Sequence, residues 1–271
     1  MGKLIFTILV SCMLWLSVSA TDSTLNTTVI KSIIGNFKNF EVDNMGNVFL
    51  ISNSNQIKKL NNKFDSVGVF NDTRRFGNIT SVDVNNALKS LVYYKDFSTI
   101  LILDRFFNIK TKIDLRQKNI FKSSVICLSY DNNIWVYDEF ENKIKKIDDD
   151  GTVLMETNDF RLIFEELFIP ESISDSNGKL YLYNKSKGLL VLDYYGAYKN
   201  KFEIKDLNDV QISDNKLLGF SENKFVVYDL KMLHSNQFNL LLVDDNKNKI
   251  VFKNNLFYLL NNSGLQILKL N

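Results

Sequence analysis

Five arginines are the clearest candidates in this chain for contacts with a ligand or partner, and four of them share short polar segments with phenylalanine. Arginine and aromatic residues together are enriched at the energetic centres of binding surfaces. We therefore predict a binding surface made by Arg74, Arg75, Phe76, Arg116, Phe121, Arg161 and Phe164. The alternative is that these side chains lie between neighbouring structural units, with each arginine paired to a carboxylate.

Residue types for catalysis are scarce. His234 is the only histidine, in a polar segment typical of a solvated connection, so a site with several histidine ligands is excluded. Asp148, Asp149 and Asp150 are followed by neither the spacing nor the distal glutamate of a calcium loop. The sequence also lacks a glycine-rich phosphate loop and a Gly-x-Ser-x-Gly elbow. We expect no catalytic residue, no metal site and no cofactor.

The first twenty residues have the layout of a secretory signal. Lys3 is their only charge, residues 4–18 are almost wholly apolar, and small residues precede Thr21. This pattern predicts cleavage between Ala20 and Thr21 and export to a periplasmic or secreted location. The apolar run is shorter than the roughly 20 residues of a membrane span, so we expect no transmembrane segment in the mature chain.

The two cysteines raise the questions of a lipid anchor and of a disulfide bond. Leu9–Cys12 also fits a lipoprotein box that would lipidate Cys12, but the residues after it are apolar where a polar tether is usual. We favour simple cleavage, which leaves Cys127 alone and allows no intrachain disulfide. Cys127 lies in an apolar run, which indicates a buried thiol in a strand.

Length and composition limit the function classes. The chain has 271 residues, 45% of them apolar, with a net charge of +2 that becomes +1 once Lys3 is removed with the signal. That apolar content supports a real core, so we expect one folded domain over residues 21–271. The mixed charge shows none of the basic stripe that nucleic-acid binding requires.

Apolar runs recur along the whole chain at a nearly constant spacing. Successive runs begin 43, 43, 46, 37 and 39 residues apart, and a second apolar run follows each at a similar interval. The first runs begin at Val48, Leu91, Ile134, Leu180, Leu217 and Leu256. Two markers with one period indicate a repeated structural unit of about 40 residues.

The sequence pattern of each unit predicts β-strands. The runs are short, rich in β-branched and aromatic residues, and bounded by Asn, Asp, Gly and Ser. A shorter strand precedes each pair and a fourth often follows, which predicts an all-β, six-bladed β-propeller. The third strand usually ends in Asp or Asn, whose side chain supports a tight turn.

Two irregularities in the repeat lead to further predictions. The sixth unit has only three strands, so we expect Thr27–Ile33 to close it as the fourth and remove its open edge. The long third step comes from an insertion in which apolar residues from Phe160 to Phe168 have roughly helical spacing. That spacing predicts a short helix on one side of the ring.

The apolar-strand, turn, apolar-strand, Asp-x-x-Gly rhythm resembles the NHL-type and related six-bladed β-propeller proteins over residues 27–270. Relatives include binding scaffolds, lactonases and lyases. The resemblance implies that a lactonase would hold a divalent ion in the central channel with Glu, Asp and Asn of the innermost strands. The residues on those strands here are Glu41, Asp83, Ser129, Ser174, Gln211 and Lys253. Two acids are too few for such a site.

The sequence therefore favours a non-catalytic binding or scaffolding propeller whose partner is a protein or peptide. One alternative is an enzyme of the lactonase or lyase type at the channel mouth. Another is a saccharide-binding module, because Tyr and Trp are plentiful, although the pattern around Trp135 indicates blade core.

Overall fold

Antiparallel sheets account for nearly all regular structure in the computed structural model, which describes residues 23–164, 167–240 and 247–271. The proposed signal, with Ala20 and Thr21 at its cleavage point and the alternative lipid site Cys12, lies outside the described residues. The described strands form six sheets, one for each predicted blade.

The strand bounds follow the chain from the N-terminus. Two strands precede the first blade, β1 (Ser23–Leu25) and β2 (Thr27–Ile34). Blade one contains β3 (Phe37–Val42), β4 (Val48–Ser52), β5 (Ile57–Leu60) and β6 (Ser66–Phe70). Blade two contains β7 (Ser81–Asn86), β8 (Lys89–Tyr94), β9 (Thr99–Asp104) and β10 (Ile109–Asp114). Blade three contains β11 (Ser123–Leu128), β12 (Ile134–Asp138), β13 (Lys143–Ile147) and β14 (Val153–Glu156).

The second half repeats the arrangement. Blade four contains β15 (Ser172–Ser176), β16 (Lys179–Asn184), β17 (Gly188–Asp193) and β18 (Tyr198–Phe202). Blade five contains β19 (Asn208–Ser213), β20 (Lys216–Ser221), β21 (Lys224–Asp229) and β22 (His234–Leu240). Blade six contains β23 (Lys247–Lys253), β24 (Leu256–Asn261) and β25 (Gly264–Leu270).

The N-terminal strands close the ring as the sequence predicts. β2 pairs antiparallel with β25 from Thr27 opposite Leu270 to Ile34 opposite Gly264, which makes it the fourth strand of blade six. β1 pairs parallel with β22 and adds a fifth strand to blade five. The N-terminal segment therefore joins the last two blades, and the all-β, six-bladed prediction is confirmed.

Apolar runs form the middle strands because each of these strands is covered on both sides. Along β12, Ile134 and Val136 pack towards blade two, whereas Trp135 and Tyr137 pack towards blade four. A strand covered on both faces has no reason to alternate polar and apolar residues. This explains why the repeat appears in the sequence as uninterrupted apolar runs.

The turns after the third strands use one hydrogen-bond pattern. The side-chain oxygen of Asn61, Asp104, Asp148 or Asp193 accepts from the backbone N–H groups two and four residues later, at 2.8–3.0 Å. A side chain that bonds its own backbone in this way holds a tight turn. The three aspartates from Asp148 therefore serve a turn, as the turn prediction required.

The helical structure is sparse, and one sequence expectation is wrong. Short helices lie at α1 (Thr73–Phe76) and, as single 3-10 turns, at Lys95–Phe97, Leu115–Lys118 and Phe160–Leu162. Of the expected helix from Phe160 to Phe168, the described residues, which exclude 165 and 166, form only a 3-10 turn at Phe160–Leu162. Phe160, Phe164 and Phe168 pack against blades three and four. In the described part of the chain, no helix is long and apolar enough to cross a membrane.

His234 also lies elsewhere than expected. It is the first residue of β22, on the outer strand of blade five, rather than in the connection after that blade. Its ring is exposed, and its Nε2 lies 2.9 Å from Asn236 Oδ1. Cys127 is buried in β11, which confirms the predicted environment of that thiol.

Candidate functional site

The two faces of the propeller differ in which loops form them. One face carries the loops between second and third strands together with the connections between blades, as the hydrogen bond from Thr73 Oγ1 to Ser54 O shows. The N–H of Phe160 likewise donates to Asn142 O at 2.9 Å across this face. We call it the arginine face, because the blade connections carry Arg74, Arg75, Arg116 and Arg161. The opposite face carries the other turns.

Three of these arginines repeat one local arrangement. An aspartate follows or ends the fourth strand, a single helical turn begins, and the arginine in that turn pairs back to the aspartate. The pairs are Asp72–Arg75, Asp114–Arg116 and Asp159–Arg161, with Nε to carboxylate distances of 2.7, 3.1 and 2.9 Å. Asp114 and Asp159 also accept from the backbone N–H of their arginine.

Each pair presents its arginine outward. The arginine side chains are 68%, 52% and 55% exposed, whereas the paired aspartates are 10%, 17% and 20% exposed. The carboxylate therefore orients the guanidinium and leaves several of its five N–H donors facing solvent. A side chain already held in one orientation loses less freedom when it binds a partner.

The protonation behaviour of these groups supports the pairing. Hydrogen bonds from Arg116 hold the pKa of Asp114 below its ordinary value, and those from Arg161 do the same for Asp159. The bonds to Asp72, Asp114 and Asp159 raise the pKa of the three guanidinium groups. The Asp114–Arg116 and Asp159–Arg161 pairs therefore stay ionised across the physiological range.

The other residues of the predicted surface have different environments. Phe76 lies in the core between blades one and two, 5.4 Å from the Tyr94 ring, so the prediction that it contacts a partner is corrected. Phe164 is half-buried and packs edge-on against Phe160 and Tyr198. Arg74 is exposed and forms no ion pair with the described residues.

An exposed apolar arc accompanies the arginines over blades two to four. The Phe121 and Phe140 rings meet edge-to-face at 6.4 Å, and both rings are largely exposed. The full arc consists of Phe97, Phe121, Phe140, Leu162, Ile163, Leu167 and Ile169. Among these residues, only Phe121 was predicted from the sequence. The other residues of the arc lie in loops, outside the repeating apolar runs that form the strands. That position was the signal in the sequence from which they could have been predicted.

Hydrogen bonds, two of them buried, fix the arc to the blades. The Tyr137 hydroxyl lies 2.9 Å from Phe168 O and 3.0 Å from Asn142 Oδ1, beneath the surface of blade three. Ser98 Oγ donates to Phe121 O, and Asn184 Nδ2 donates to Ile169 O. These contacts fix two blade connections to the neighbouring loops, so the arc is a preformed surface.

The central channel is the second candidate site, with a volume of about 1330 Å³. Its lining includes Glu41, Asp83, Ser174, Gln211 and Lys253 from the innermost strands, as the sequence predicts. Ser129 instead lies at the end of β11 and donates its hydroxyl to Asp175 Oδ2 at 2.8 Å. Acids and lysines share the lining, so the channel carries both signs of charge.

The channel acids are occupied in joining neighbouring blades. Asp83 Oδ2 accepts from Leu128 N at 2.7 Å, and Asp209 Oδ2 accepts from Ile250 N at 2.9 Å. Asp175 Oδ2 accepts from the Trp135 indole N–H at 2.9 Å, and Glu41 pairs with Lys249 at 2.6 Å. Each bond crosses from one blade to the next and stabilises the ring.

Burial shifts the pKa of several groups that line the channel. Burial raises the pKa of the Asp83 carboxyl and of the Cys127 thiol, so Cys127 is held as the unreactive thiol. Burial lowers the pKa of Lys253, whose Nζ donates to Val42 O. Among the described residues, no three His, Cys, Asp or Glu side chains are grouped to hold a metal ion.

On the opposite-face side of blade three, Lys146 occupies an aromatic enclosure. Its Nζ lies 3.6 Å from the Tyr194 ring centre and 4.8 Å from that of Trp135, and it bonds Asp131 Oδ2 at 2.7 Å. The Tyr194 hydroxyl also bonds Asp131. Burial alone would raise the pKa of Asp131, but hydrogen bonds from Lys146, Tyr194 and Asn133 lower it overall.

This enclosure predicts a pH-dependent contribution to stability. Because the folded pKa of Asp131 lies below its ordinary value of 3.8, its contribution is present above about pH 4 and is lost as pH falls further. Urea unfolding of wild type and Asp131→Asn between pH 7 and pH 3 measures this. We expect wild type to be the more stable at pH 7 and the difference to shrink towards pH 3. A constant difference would contradict the pairing.

Comparison with known proteins identifies the fold. No protein-family model matches the chain, and no curated protein matches its sequence. Among solved structures, a streptogramin B lyase is 15% identical with a TM-score of 0.58, covering 86% of this chain and 78% of its own.

Two further solved structures have different printed descriptions. BamB from Moraxella catarrhalis is 11% identical with a TM-score of 0.56, covering 90% of this chain and 99% of its own. The Pan2 WD40 domain from Neurospora crassa is 12% identical with a TM-score of 0.60, covering 90% and 86%. At these identities the similarity establishes the β-propeller fold, which is shared by proteins with unrelated functions.

Proposed function

We propose that this protein is a non-catalytic binding propeller that holds a protein or peptide partner on its arginine face. The contact surface is the apolar arc together with Arg116 and Arg161. The observation that carries the proposal is that exposed Phe and Leu side chains and outward-facing guanidinium groups share one preformed surface. Large exposed apolar side chains grouped on one surface are typical of interaction sites.

The chemistry of this surface specifies the partner. Phe121, Phe140 and Leu162 favour apolar side chains, and the guanidinium groups of Arg116 and Arg161 favour carboxylates with paired oxygens. The expected partner is therefore a peptide segment or protein surface with apolar residues flanked by Asp or Glu. Binding should weaken with salt, because exposed charges are screened over about 10 Å at 0.1 M ionic strength.

The proposal includes the location and the finer family. The first twenty residues support export with cleavage after Ala20, which leaves residues 21–271 as the mature propeller in the periplasm or outside the cell. The apolar-strand and Asp-turn rhythm, with its side-chain to backbone bonds, supports an NHL-type propeller. The partner is then a component of the cell envelope or the secreted space.

The surface is tested by capture of partners from the native envelope and secreted fractions on the immobilised mature protein. The test variant is Arg116→Ser with Arg161→Ser, and a second variant is Phe140→Ser with Leu162→Ser. We expect each to weaken binding of the captured partner about 30-fold or more, since hot-spot substitutions cost about 2 kcal/mol or more. Wild-type capture should also decrease as salt rises.

Arg105→Ser is the matched control. Arg105 is an exposed arginine on the opposite face, where its guanidinium lies 4.6 Å from the Phe106 ring centre. Its loss should leave capture unchanged, and all variants should melt as wild type does, since the replaced side chains are exposed. Equal capture by wild type and the Arg116/Arg161 variant would reject the arginine face.

A further inference from the structure

The outer strand of blade one has an unusual composition for an open sheet edge. Among the described outer strands, β2, β10, β14 and β18 each contain Lys or Glu, whereas β6, Ser66-Val67-Gly68-Val69-Phe70, has no charged residue. Natural sheets place charges, lysine above all, on their edges to prevent pairing with another strand. β6 lacks that protection.

The other uncharged outer strand shows what such an edge does in this fold. β22, His234–Leu240, carries no Asp, Glu, Lys or Arg. In the structure β1 covers it as a fifth strand, with Thr24 opposite Asn239. The edge of β6 is bonded to β5 on its inner side and to no described strand on its outer side. The edge of β6 is therefore open among the described strands, whereas the corresponding edge of β22 is paired.

The two sides of β6 are also unequal. Phe107 of blade two packs over Gly68, at 3.4 Å from the position that a Cβ would occupy, and Phe70 is buried on the same side. Val67 and Val69 point to the other side and are 55% and 52% exposed. One face of the strand thus packs on the core, and the other presents Val69 and Val67, the latter at an irregularity in the pairing with β5.

We propose that β6 pairs with β6 of a second copy of this chain, antiparallel about a two-fold axis at Gly68. The stretch Val67-Gly68-Val69 reads the same in both directions, so this register places Val67 of each copy opposite Val69 of the other. The four valines lie on one face and cover one another. Antiparallel pairing joins the two blades into one eight-stranded sheet.

The flanking residues are compatible with this register. Immediately beyond the strand, Asp65 comes opposite Asn71. Neither this position nor the strand itself opposes two like charges, which would destabilise the pairing. The self-complementary strand and this charge pattern select a second copy as the occupant.

The dimer has a geometric consequence for binding. Strands run between the two faces of the propeller, so antiparallel pairing of β6 inverts one copy relative to the other. The arginine faces then point in opposite directions, and both apolar arcs, on blades two to four, stay open. The interface of one five-residue strand is small, so we expect association at high protein concentration rather than a permanent dimer.

Sedimentation equilibrium of the mature protein over a concentration series tests the dimer. We expect a monomer that converts to a dimer as concentration rises, and a strictly monomeric Val69→Lys variant. The matched control is Leu154→Lys, an equally exposed position on the outer strand β14, which should dimerise as wild type does. A wild type that stays monomeric throughout, or a Val69→Lys dimer, would overturn the proposal.

Cysteine cross-linking with an added oxidant tests the register. Val67→Cys and Val69→Cys proteins, mixed, should form a disulfide dimer, because directly opposite residues lie within the Cα separation that a disulfide spans. The Val67→Cys protein by itself should not form this dimer, because position 67 of one copy lies opposite position 69, not position 67, of the other copy. Cross-linking of Val67→Cys with itself would overturn the pairing. The native Cys127 is buried and does not compete.

Discussion

Deletion of Thr27–Ile33 is expected to lower the melting temperature of the mature protein by about 10 °C or more. The deletion removes all antiparallel pairs between β2 and β25 except Ile34 with Gly264, and it opens the edge of blade six. It also removes Ile33 from the apolar cluster between blades six and one. A loss of several kcal/mol shifts the midpoint of a domain of this size by about 2–4 °C per kcal/mol.

Two point variants separate strand closure from a general effect of shortening the chain. Ile33 is half-buried against the cluster, whereas its neighbour Ile34 is 89% exposed on the other side of the same strand. Thermal melts should show a clear loss for Ile33→Ser and almost none for Ile34→Ser. An unchanged melting temperature in the deletion variant would reject closure of the ring by β2.

Replacing Asp138 with Asn is expected to destabilise the protein by about 3 kcal/mol, because it removes the buried one of the two carboxylates that pair with the buried Lys145. Asp138 is fully buried, and its Oδ2 bonds Lys145 Nζ at 2.8 Å. Burial alone would lower the pKa of Lys145, but hydrogen bonds with Asp138 and Glu141 raise it overall. Asn keeps the side-chain oxygen that accepts from Phe140 N, so the substitution removes mainly the charge.

A double-mutant cycle gives the control for this pair. Lys145→Met alone should also destabilise, since it leaves the Asp138 carboxylate unpaired. The double variant Asp138→Asn with Lys145→Met should recover much of the loss, because a neutral pair carries no buried charge. Urea unfolding at pH 7 measures all four proteins. Additive losses in the double variant would show that the two side chains do not depend on each other.

The predictable part of the candidate site is its location on the chain. Arginine with phenylalanine marked the connections that form the arginine face, and Arg116, Phe121 and Arg161 are exposed there. Phe76 was misassigned, because a phenylalanine in a polar segment can equally fill the gap between two blades. Phe140 and Leu162 were missed, because their exposure depends on how separate connections pack together.

The burial of three lysines within the repeat also could not be predicted from the local sequence. The stretches Ile57–Leu60 and Ile144–Ile147 suggest strands with polar residues facing solvent, yet Lys59, Lys145 and Lys146 are buried. Lys59 lies over the Phe49 ring at 5.2 Å, and Lys146 lies over Trp135 at 4.8 Å. Their carboxylate and aromatic partners come from other strands and turns, so the local pattern does not contain them.

The sequence by itself determined the strands, the number of blades, the aspartate turns and the closing strand. Each of these depends on contacts within about 40 residues, or on a repeat whose missing member can be counted. Only the tertiary structure decided which arginines face outward, which phenylalanines are exposed, and which channel acids join neighbouring blades. Those outcomes depend on contacts between segments far apart in the chain, where packing and burial rather than residue type select the partner.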